Sequence, residues 1–216
     1  MSEYNTVLFD LDGTLTDPAI GITNSVAYAL KKWGIEVSDR AALYKFIGPP
    51  LYDSFSNYYG FTKEESERAV ACFREYFSTK GKFENTVYED VPELLSELCA
   101  RGKKLIVATS KPEVFAKQIL EHFELDKYFD FIAGATLDSS RVEKADVIKY
   151  AFENCNITDV SDVIMIGDRE YDITGAAHFG MDSIGVLYGY GSLEEFTSTG
   201  ATYIAEAPLD ILNIVK

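Results

Sequence analysis

Aspartates dominate the residues of this sequence that could do chemistry. Asp10 and Asp12 follow the short apolar run at 6–9, and Asp168 and Asp172 follow the apolar run at 163–166. Two carboxylates about 4 Å apart repel by about 4 kcal/mol at an effective dielectric of 20. If Asp10, Asp12 and Asp168 converge, they need a cation to relieve that repulsion. Ligands that are all oxygens favour Mg²⁺ over zinc.

Two further polar residues could bind an anion, and each also has a purely structural explanation. Ser110 follows an apolar run, but Ser110-Lys111-Pro112-Glu113 also matches a capping box at the start of a helix. Lys144 lies in the first turn of a predicted helix, where the helix dipole disfavours a cation. It is either an exposed, solvated lysine or one directed at a centre of carboxylates and phosphate. Asp12-Gly13-Thr14 is likewise either a simple turn or part of a site.

Composition and charge narrow the possible functions. The chain has 216 residues, and 35 Asp+Glu against 20 Lys+Arg give a formal net charge of −15. This negative excess repels nucleic-acid phosphates and anionic lipids, so we expect neither nucleic acid nor membrane as a partner. The N-terminus lacks the basic start and apolar stretch of a signal peptide, and apolar runs are far shorter than a membrane span. We therefore expect a cytoplasmic protein.

Other common catalytic signatures are missing from the sequence. It has no Gly-x-x-x-x-Gly-Lys-Ser/Thr loop, no Gly-x-Ser-x-Gly and no Cys followed six residues later by Arg. P-loop hydrolysis, serine-esterase chemistry and cysteine-phosphatase chemistry are therefore disfavoured. Cys72, Cys99 and Cys155 are odd in number and form no Cys-x-x-Cys, so we expect them to be buried free thiols.

Hydrophobic periodicity predicts an α/β protein with an early helical insert. Residues 18–85 show only helical spacing, with a capping box at Thr62–Glu65 and a helix end at Gly60. From residue 90 onward, apolar strands alternate with amphipathic helices, as in a parallel sheet covered on both faces. We predict a doubly wound parallel sheet, a Rossmann-like core of residues 1–17 and 86–216, with a small helical domain at 18–85. The predicted strands span 6–9, 104–108, 129–133, 163–166, 183–187 and 201–205.

In open parallel sheets, ligands bind beyond the carboxyl ends of the strands, where these polar residues lie. Four segments there resemble, in the same order, the signatures of the haloacid dehalogenase superfamily in its phosphatase form. They are Asp10-Leu11-Asp12-Gly13-Thr14-Leu15-Thr16-Asp17, Val107-Ala108-Thr109-Ser110-Lys111, Lys144 and Gly167-Asp168-Arg169-Glu170-Tyr171-Asp172. The resemblance covers essentially the whole chain, with the helical insert where a C1-type cap belongs. It is strongest to the phosphoglycolate phosphatase-like group, some of whose members are assigned as 5′-nucleotidases.

The resemblance implies a Mg²⁺-dependent phosphatase. Asp10 would attack phosphorus and become an aspartyl-phosphate, and Asp12 would protonate the leaving oxygen and then deprotonate water. Mg²⁺ would be held by the Asp10 side chain, the Asp12 backbone carbonyl and Asp168. The phosphoryl group would be bound by Ser110, Lys144 and Thr109. The site would be supported by Asp172, Gly13 and Thr14. The leaving group would be contacted by Gly48, Pro49 and Pro50 of the cap, a segment that could also simply start a helix.

The expected substrate is a small phosphorylated metabolite, with phosphoglycolate and 5′-nucleotides as the leading candidates. The expected protein is a monomer or a weak homodimer. Two other functions stay open from the sequence. A receiver-like phospho-acceptor switch also uses acidic residues, Mg²⁺, Ser/Thr and Lys, although the insert and the Asp-x-Asp of the first strand disfavour it. A phosphoglucomutase-like isomerase would be expected to carry Ser-Arg after Gly48, where this chain has Pro49-Pro50.

Overall fold

Strands and helices alternate along most of the chain in the computed structural model, which describes residues 4–138 and 140–216. The strands are β1 (Thr6–Phe9), β2 (Thr16–Asp17), β3 (Thr86–Val87), β4 (Lys104–Pro112), β5 (Phe131–Ala135), β6 (Val163–Gly167), β7 (Asp182–Val186) and β8 (Tyr203–Ala205). The α-helices are α1 (Ala19–Lys31), α2 (Leu51–Tyr59), α3 (Lys63–Phe77), α4 (Val91–Ala100), α5 (Glu113–His122), α6 (Lys144–Cys155), α7 (Glu170–His178), α8 (Leu193–Thr199) and α9 (Ile211–Ile214). Short 3₁₀ helices lie at Arg40–Phe46, Gly81–Phe83, Asp126–Tyr128 and Pro208–Asp210. Among the helices described, none is both long and apolar enough to cross a membrane.

Six parallel strands form the main sheet, in the order β5-β4-β1-β6-β7-β8. On one face Leu8, Ile106 and Met165, from three adjacent strands, pack with buried residues of α6 and α7. Val7 and Phe9 project from β1 to the opposite face and are also fully buried. Helices therefore cover both faces of the sheet, and the predicted doubly wound α/β fold class is confirmed.

The six predicted strands are present, five of them with shifted ends. The strand predicted at 129–133 begins at Phe131, because a 3₁₀ turn at Asp126–Tyr128 precedes it. The strand predicted at 201–205 begins only at Tyr203. β2 and β3 were not predicted, since two-residue strands are too short to show an alternating pattern.

The alternative explanation of Ser110, that its side chain caps a helix, is wrong. β4 continues through Ser110 to Pro112, because the strand still pairs with β5 beyond a register shift between Thr109 and Pro112. α5 starts one residue later, with Pro112 at its N-cap position and no side-chain cap hydrogen bond. Ser110 is thus a strand residue whose hydroxyl is not used to start the helix.

The cysteines are free thiols, as predicted, but their expected burial is wrong. Cys99 is exposed, while Cys72 and Cys155 are half-buried. All three lie on helices, and Cys155 is the last residue of α6. Each cysteine thus lies on a side of its helix that is not fully turned into the core.

Contacts divide the chain into two compact units. The core unit comprises the chain up to Asp17 and from Val87 onward, and the inserted unit is Pro18–Thr86. β2 and β3 pair where the chain leaves and re-enters the core unit. The inserted unit is helical, and the capping box predicted at the start of α3 is present: the Thr62 and Glu65 side chains each accept a hydrogen bond from the other residue's backbone N–H. That the inserted unit acts as a cap stays a prediction.

Candidate active site

Two neighbouring strands deliver aspartates to one edge of the sheet. β1 ends directly before Asp10, and β6 ends directly before Asp168. The Asp10 N–H extends the strand by donating to the Ile166 carbonyl over 2.9 Å. Because parallel strands end at a common edge, Asp10 and Asp168 meet there and Asp172 joins them. One carboxylate oxygen from each lies within 4.8 Å of the other two.

Lys144, the first residue of α6, is buried among these carboxylates. Its Nζ lies 2.9 Å from Asp10 Oδ1 and 2.7 Å from Asp172 Oδ1. It also donates a hydrogen bond of 3.0 Å to the Ala108 carbonyl. Burial opposes its charge, but Asp10 and Asp172 outweigh burial, so the pKa of Lys144 is raised. With 6% of its surface exposed, Lys144 is not the solvated lysine that the sequence left as an alternative.

The carboxyl groups of Asp168 and Asp172 are fully buried and hard to ionise together. Burial raises the pKa of Asp168 well above its ordinary value, and the charges of Asp172 and Asp10 raise it further. Burial likewise raises the pKa of Asp172 to about 6, although Lys144 opposes this. Asp168 precedes α7 and Asp172 lies on it, so the two are not stacked along one helix face. Their repulsion is a property of the assembled site.

The carboxylate cluster fits a divalent cation. Asp168 Oδ2 accepts a hydrogen bond of 2.9 Å from the Tyr190 N–H. Within the described ranges, the buried Oδ1 of Asp168 has no hydrogen-bond partner. An unpartnered carboxylate oxygen beside two further carboxylates is costly unless a cation is bound. Asp10, Asp168 and Asp172 could therefore hold a metal ion, and a set of oxygens alone suits Mg²⁺.

Asp12 belongs to a separate ion pair. The Lys111 ammonium donates a hydrogen bond to Asp12 Oδ2, and the side chains are 5% and 14% exposed. Burial raises the pKa of Asp12, and Lys111 opposes that rise. Asp12 is not part of the carboxylate cluster. A metal role for Asp12 therefore depends on its backbone carbonyl, as the resemblance implied.

The turn after β1 packs closely against Asp168. Gly13 has a φ of +86°, and a Cβ there would lie 2.0 Å from Asp168 Oδ2. Only glycine permits both this left-handed backbone and this close approach. Thr14 is fully buried, and its carbonyl accepts a hydrogen bond of 3.1 Å from the Tyr188 hydroxyl. The Asp12-Gly13-Thr14 segment is thus a turn that also forms one wall of the site.

Thr109 and Ser110 lie on β4, the other neighbour of β1. Thr109 is buried, and its hydroxyl oxygen accepts a hydrogen bond of 3.2 Å from the Lys111 N–H. Ser110 is half-buried. Their contact with a phosphoryl group stays a prediction.

Gly48, Pro49 and Pro50 belong to the inserted unit. They directly precede α2, and Pro50 occupies its N-cap position. Gly48 is exposed with a φ of +101°, and the two prolines are half-buried. This segment starts a helix, as its sequence allowed, while its contact with a leaving group stays a prediction.

Three residues near the site were given no role from the sequence. Lys111 stands in the second signature segment, so a search for a cation opposite Asp12 could have found it. The Tyr190 N–H donates a hydrogen bond to Asp168, and the Glu195 carboxylate accepts hydrogen bonds from Arg169 and Glu170. Both come from the chain around α8, and no local pattern signals contacts over such a separation.

Comparison with known proteins identifies the family. A family model described as haloacid dehalogenase-like hydrolase matches residues 7–186. The chain belongs to this family. The resemblance inferred from the four signature segments is confirmed, and the protein is an enzyme of the hydrolase class.

Individual relatives cover nearly the whole chain. A 5′-nucleotidase of Pseudomonas aeruginosa is 45% identical over 200 residues, which span 93% of this chain and 90% of that protein. The tyrosine-protein kinase PtkA of Mycobacterium tuberculosis is 37% identical over 201 residues, 93% of this chain and 68% of that one. The crystal structure of a predicted phosphatase from Clostridium acetobutylicum is 53% identical, with a TM-score of 0.95 and 99% coverage of both chains. Since one fold carries different activities, the substrate must be argued from the site.

Proposed function

We propose that this hydrolase is a Mg²⁺-dependent phosphatase that acts on a small phosphorylated metabolite through an aspartyl-phosphate on Asp10. The observation that carries the proposal is the buried Lys144 ammonium between Asp10 and Asp172, beside the unpartnered oxygen of Asp168. A cation next to a partly accessible carboxylate is the arrangement a phosphoryl group and its nucleophile require.

Asp10 is the nucleophile in this proposal. Its side chain is 12% exposed, whereas those of Lys144 and Asp172 are nearly inaccessible. A carboxylate oxygen of Asp10 attacks phosphorus, an O–P bond forms, and the bond between phosphorus and the leaving oxygen breaks. Lys144 holds Asp10 in place and stabilises the negative charge on the phosphoryl oxygens.

Asp12 moves the proton in both halves of the reaction. As a carboxylic acid it donates a proton to the leaving oxygen. As a carboxylate it then takes a proton from water, whose oxygen attacks phosphorus and releases phosphate from Asp10. Burial raises the pKa of Asp12, which favours the acid form, and Lys111 limits that rise. Burial and Lys111 thus act on the pKa of Asp12 in opposite directions, which suits a group that must both give and take a proton.

The proposed Mg²⁺ ligands are the side chains of Asp10 and Asp168 and the backbone carbonyl of Asp12. Asp172 lies close enough to join these ligands or to orient Lys144. When bound, Mg²⁺ would neutralise carboxylate charge and the charge on phosphoryl oxygens. Thr109 and Ser110 are the proposed hydroxyl donors to phosphate. Because the chain has a net charge of −15, the local positive charge of Mg²⁺ and Lys144 is needed to attract an anionic substrate.

The proposed substrates are 5′-nucleotides and phosphoglycolate, and the inserted unit is the proposed cap. The relative named 5′-nucleotidase, with 45% identity, supports the nucleotides. Gly48, Pro49 and Pro50 would contact the leaving group, and Pro49-Pro50 disfavours phosphoglucomutase-like isomerisation. Membership of a hydrolase family disfavours the receiver-like switch.

A phosphate-release screen tests the proposal. The purified protein is incubated with 5′-nucleotides, phosphoglycolate, sugar phosphates and O-phosphotyrosine, with Mg²⁺ or with EDTA. The expected result is Mg²⁺-dependent phosphate release from a small metabolite that Asp10→Asn abolishes. Activity undiminished in Asp10→Asn, or no release from any compound, would contradict it. Transfer between sugar hydroxyls without free phosphate would instead indicate an isomerase.

A further inference from the structure

The segment that carries two of the site's carboxylates is held by hydrogen bonds from residues that are not part of the carboxylate cluster. We call residues 168–172 the carboxylate loop, since it begins at Asp168 and ends at Asp172. Its backbone leads into α7, whose first N–H groups have no partner within the helix. Asp172 Oδ2 accepts one hydrogen bond, of 3.1 Å, from the Arg169 N–H. The next N–H, that of Glu170, is bound by a residue from a different element.

That residue is Glu195 on α8. Its Oε1 accepts hydrogen bonds from the Glu170 N–H over 2.6 Å and from Arg169 Nε over 3.1 Å. A carboxylate at a helix N-terminus is also favoured by the helix dipole. The Arg169 and Glu195 side chains are only 19% and 20% exposed, so water screens their ion pair less than a surface pair. Glu195 therefore holds two consecutive residues of the carboxylate loop.

The chain just before α8 holds the same loop at a second point. The Tyr190 N–H donates to Asp168 Oδ2 over 2.9 Å. A Cβ at Gly189 would lie 2.3 Å from the Gly13 carbonyl oxygen and 2.4 Å from Asp168 Cβ. The chain at Gly189 is thus packed against Gly13 and Asp168 too closely for any other residue at position 189.

Glu195 also fixes the position of the Arg169 guanidinium. Arg169 directly follows Asp168 in the chain, so a positive charge stands next to this carboxyl group in the sequence. The Arg169 Nε donates a hydrogen bond of 3.1 Å to Glu195 Oε1, so this ion pair directs the guanidinium toward α8. Because opposite charges attract, we expect the guanidinium to turn toward Asp168 when Glu195 is removed. An arginine paired with Asp168 would compete with a metal ion for the same carboxylate.

We propose that Glu195 is a positioning residue for the metal site, which keeps Arg169 away from Asp168 and fixes the start of α7 so that Asp168 and Asp172 face the cation. The proposal rests on the proposed function in so far as these carboxylates bind Mg²⁺. Partners that orient metal-binding residues typically contribute about 10–100-fold to metal affinity or activity.

The test compares Glu195→Ala and Glu195→Gln with Glu194→Gln. Glu194 is the exposed preceding residue of α8, so its variant makes the same charge change on the same helix. Calorimetric Mg²⁺ titration gives the dissociation constant, and thermal unfolding in EDTA gives stability without metal. We expect Glu195→Ala to weaken Mg²⁺ binding by about 10–100-fold. Glu195→Gln should weaken it less, because its amide oxygen can still accept from the Glu170 N–H, and Glu194→Gln should bind as the parent does.

A merely structural role gives a different result. In that case Glu195→Ala unfolds at a lower temperature but binds Mg²⁺ within twofold of the parent, which would overturn the proposal. If Glu195→Ala does not fold, unchanged Mg²⁺ affinity in Glu195→Gln overturns it. A parent protein that binds Mg²⁺ but releases no phosphate would contradict the phosphatase and leave the Glu195 comparison valid. A parent that binds no Mg²⁺ would overturn both.

Discussion

Replacing Lys144 by methionine removes the central cation of the site and keeps most of the side-chain volume. At separations of 2.9 and 2.7 Å from Asp10 and Asp172, each attraction is about 6 kcal/mol at an effective dielectric of 20. The cost of burying the ammonium offsets much of this. Removing one member of a buried ion pair nevertheless destabilises by about 3–5 kcal/mol, because the remaining charge stays buried and unpaired.

For a chain of this size, each kcal/mol shifts the unfolding temperature by about 2–4 °C. Lys144→Met should therefore lower the unfolding temperature by about 6–20 °C in EDTA at about pH 8. The loss should shrink at lower pH. Asp172 has a folded pKa of about 6, above its ordinary 3.8, so its protonation favours the folded state and that stability is lost as pH rises through about 6. Without Lys144 this pKa rises further, so acidification restores more stability to the variant than to the parent.

Thermal unfolding of the parent, Lys144→Met and Lys149→Met, at about pH 8 and about pH 5, measures this difference. Lys149 is exposed on the same helix, so Lys149→Met controls for losing a lysine from α6. An unfolding temperature unchanged in Lys144→Met, or a gap that widens on acidification, would refute the account of the buried ion pairs.

Three further predictions concern the metal ion, the turn after β1 and the inserted unit. EDTA should abolish phosphate release and Asp168→Asn should sharply weaken Mg²⁺ binding by calorimetry; full activity in EDTA contradicts the metal assignment. Gly13→Ala should lower stability and Mg²⁺ affinity more than Gly34→Ala does, since both have positive φ but only Gly13 lies against Asp168; equal effects would show that close approach is unimportant. Joining residue 17 to residue 87, which the β2–β3 pairing makes feasible, should leave a folded protein with broader substrate use; an unchanged specificity profile means the insert does not select substrate.

The sequence predicted well those features that depend on short-range patterns. Apolar runs and helical spacing identified the alternation of strands and helices, and the rule for parallel sheets placed Asp10 and Asp168 at one edge. The capping box at Thr62 was predicted correctly because it involves residues three apart in the chain. Ser110 carried an equally good local signal, but pairing with β5 extends β4 through it. Sheet pairing there outweighs the local preference for a cap.

Contacts between distant segments could not be predicted in this way. The helix dipole argued against a cation at Lys144, yet Asp10 and Asp172 outweigh it once β1, α6 and α7 are packed together. Lys111 meets Asp12 and Glu195 meets Arg169 only because the sheet order brings their elements together. Strand order and helix packing, not residue type, decide which charges form pairs.

In the proposed reaction, Asp10 carries the phosphoryl group and Asp12 is needed to release it. p-Nitrophenolate leaves without a proton, so Asp12→Ala should still phosphorylate Asp10 from p-nitrophenyl phosphate and then stall. Rapid mixing should show a burst of about one nitrophenolate per active site, followed by turnover slowed by about 10²–10⁴-fold. Asp10→Ala should show no burst. Steady turnover of Asp12→Ala at the parental rate, or a burst from Asp10→Ala, would contradict the account.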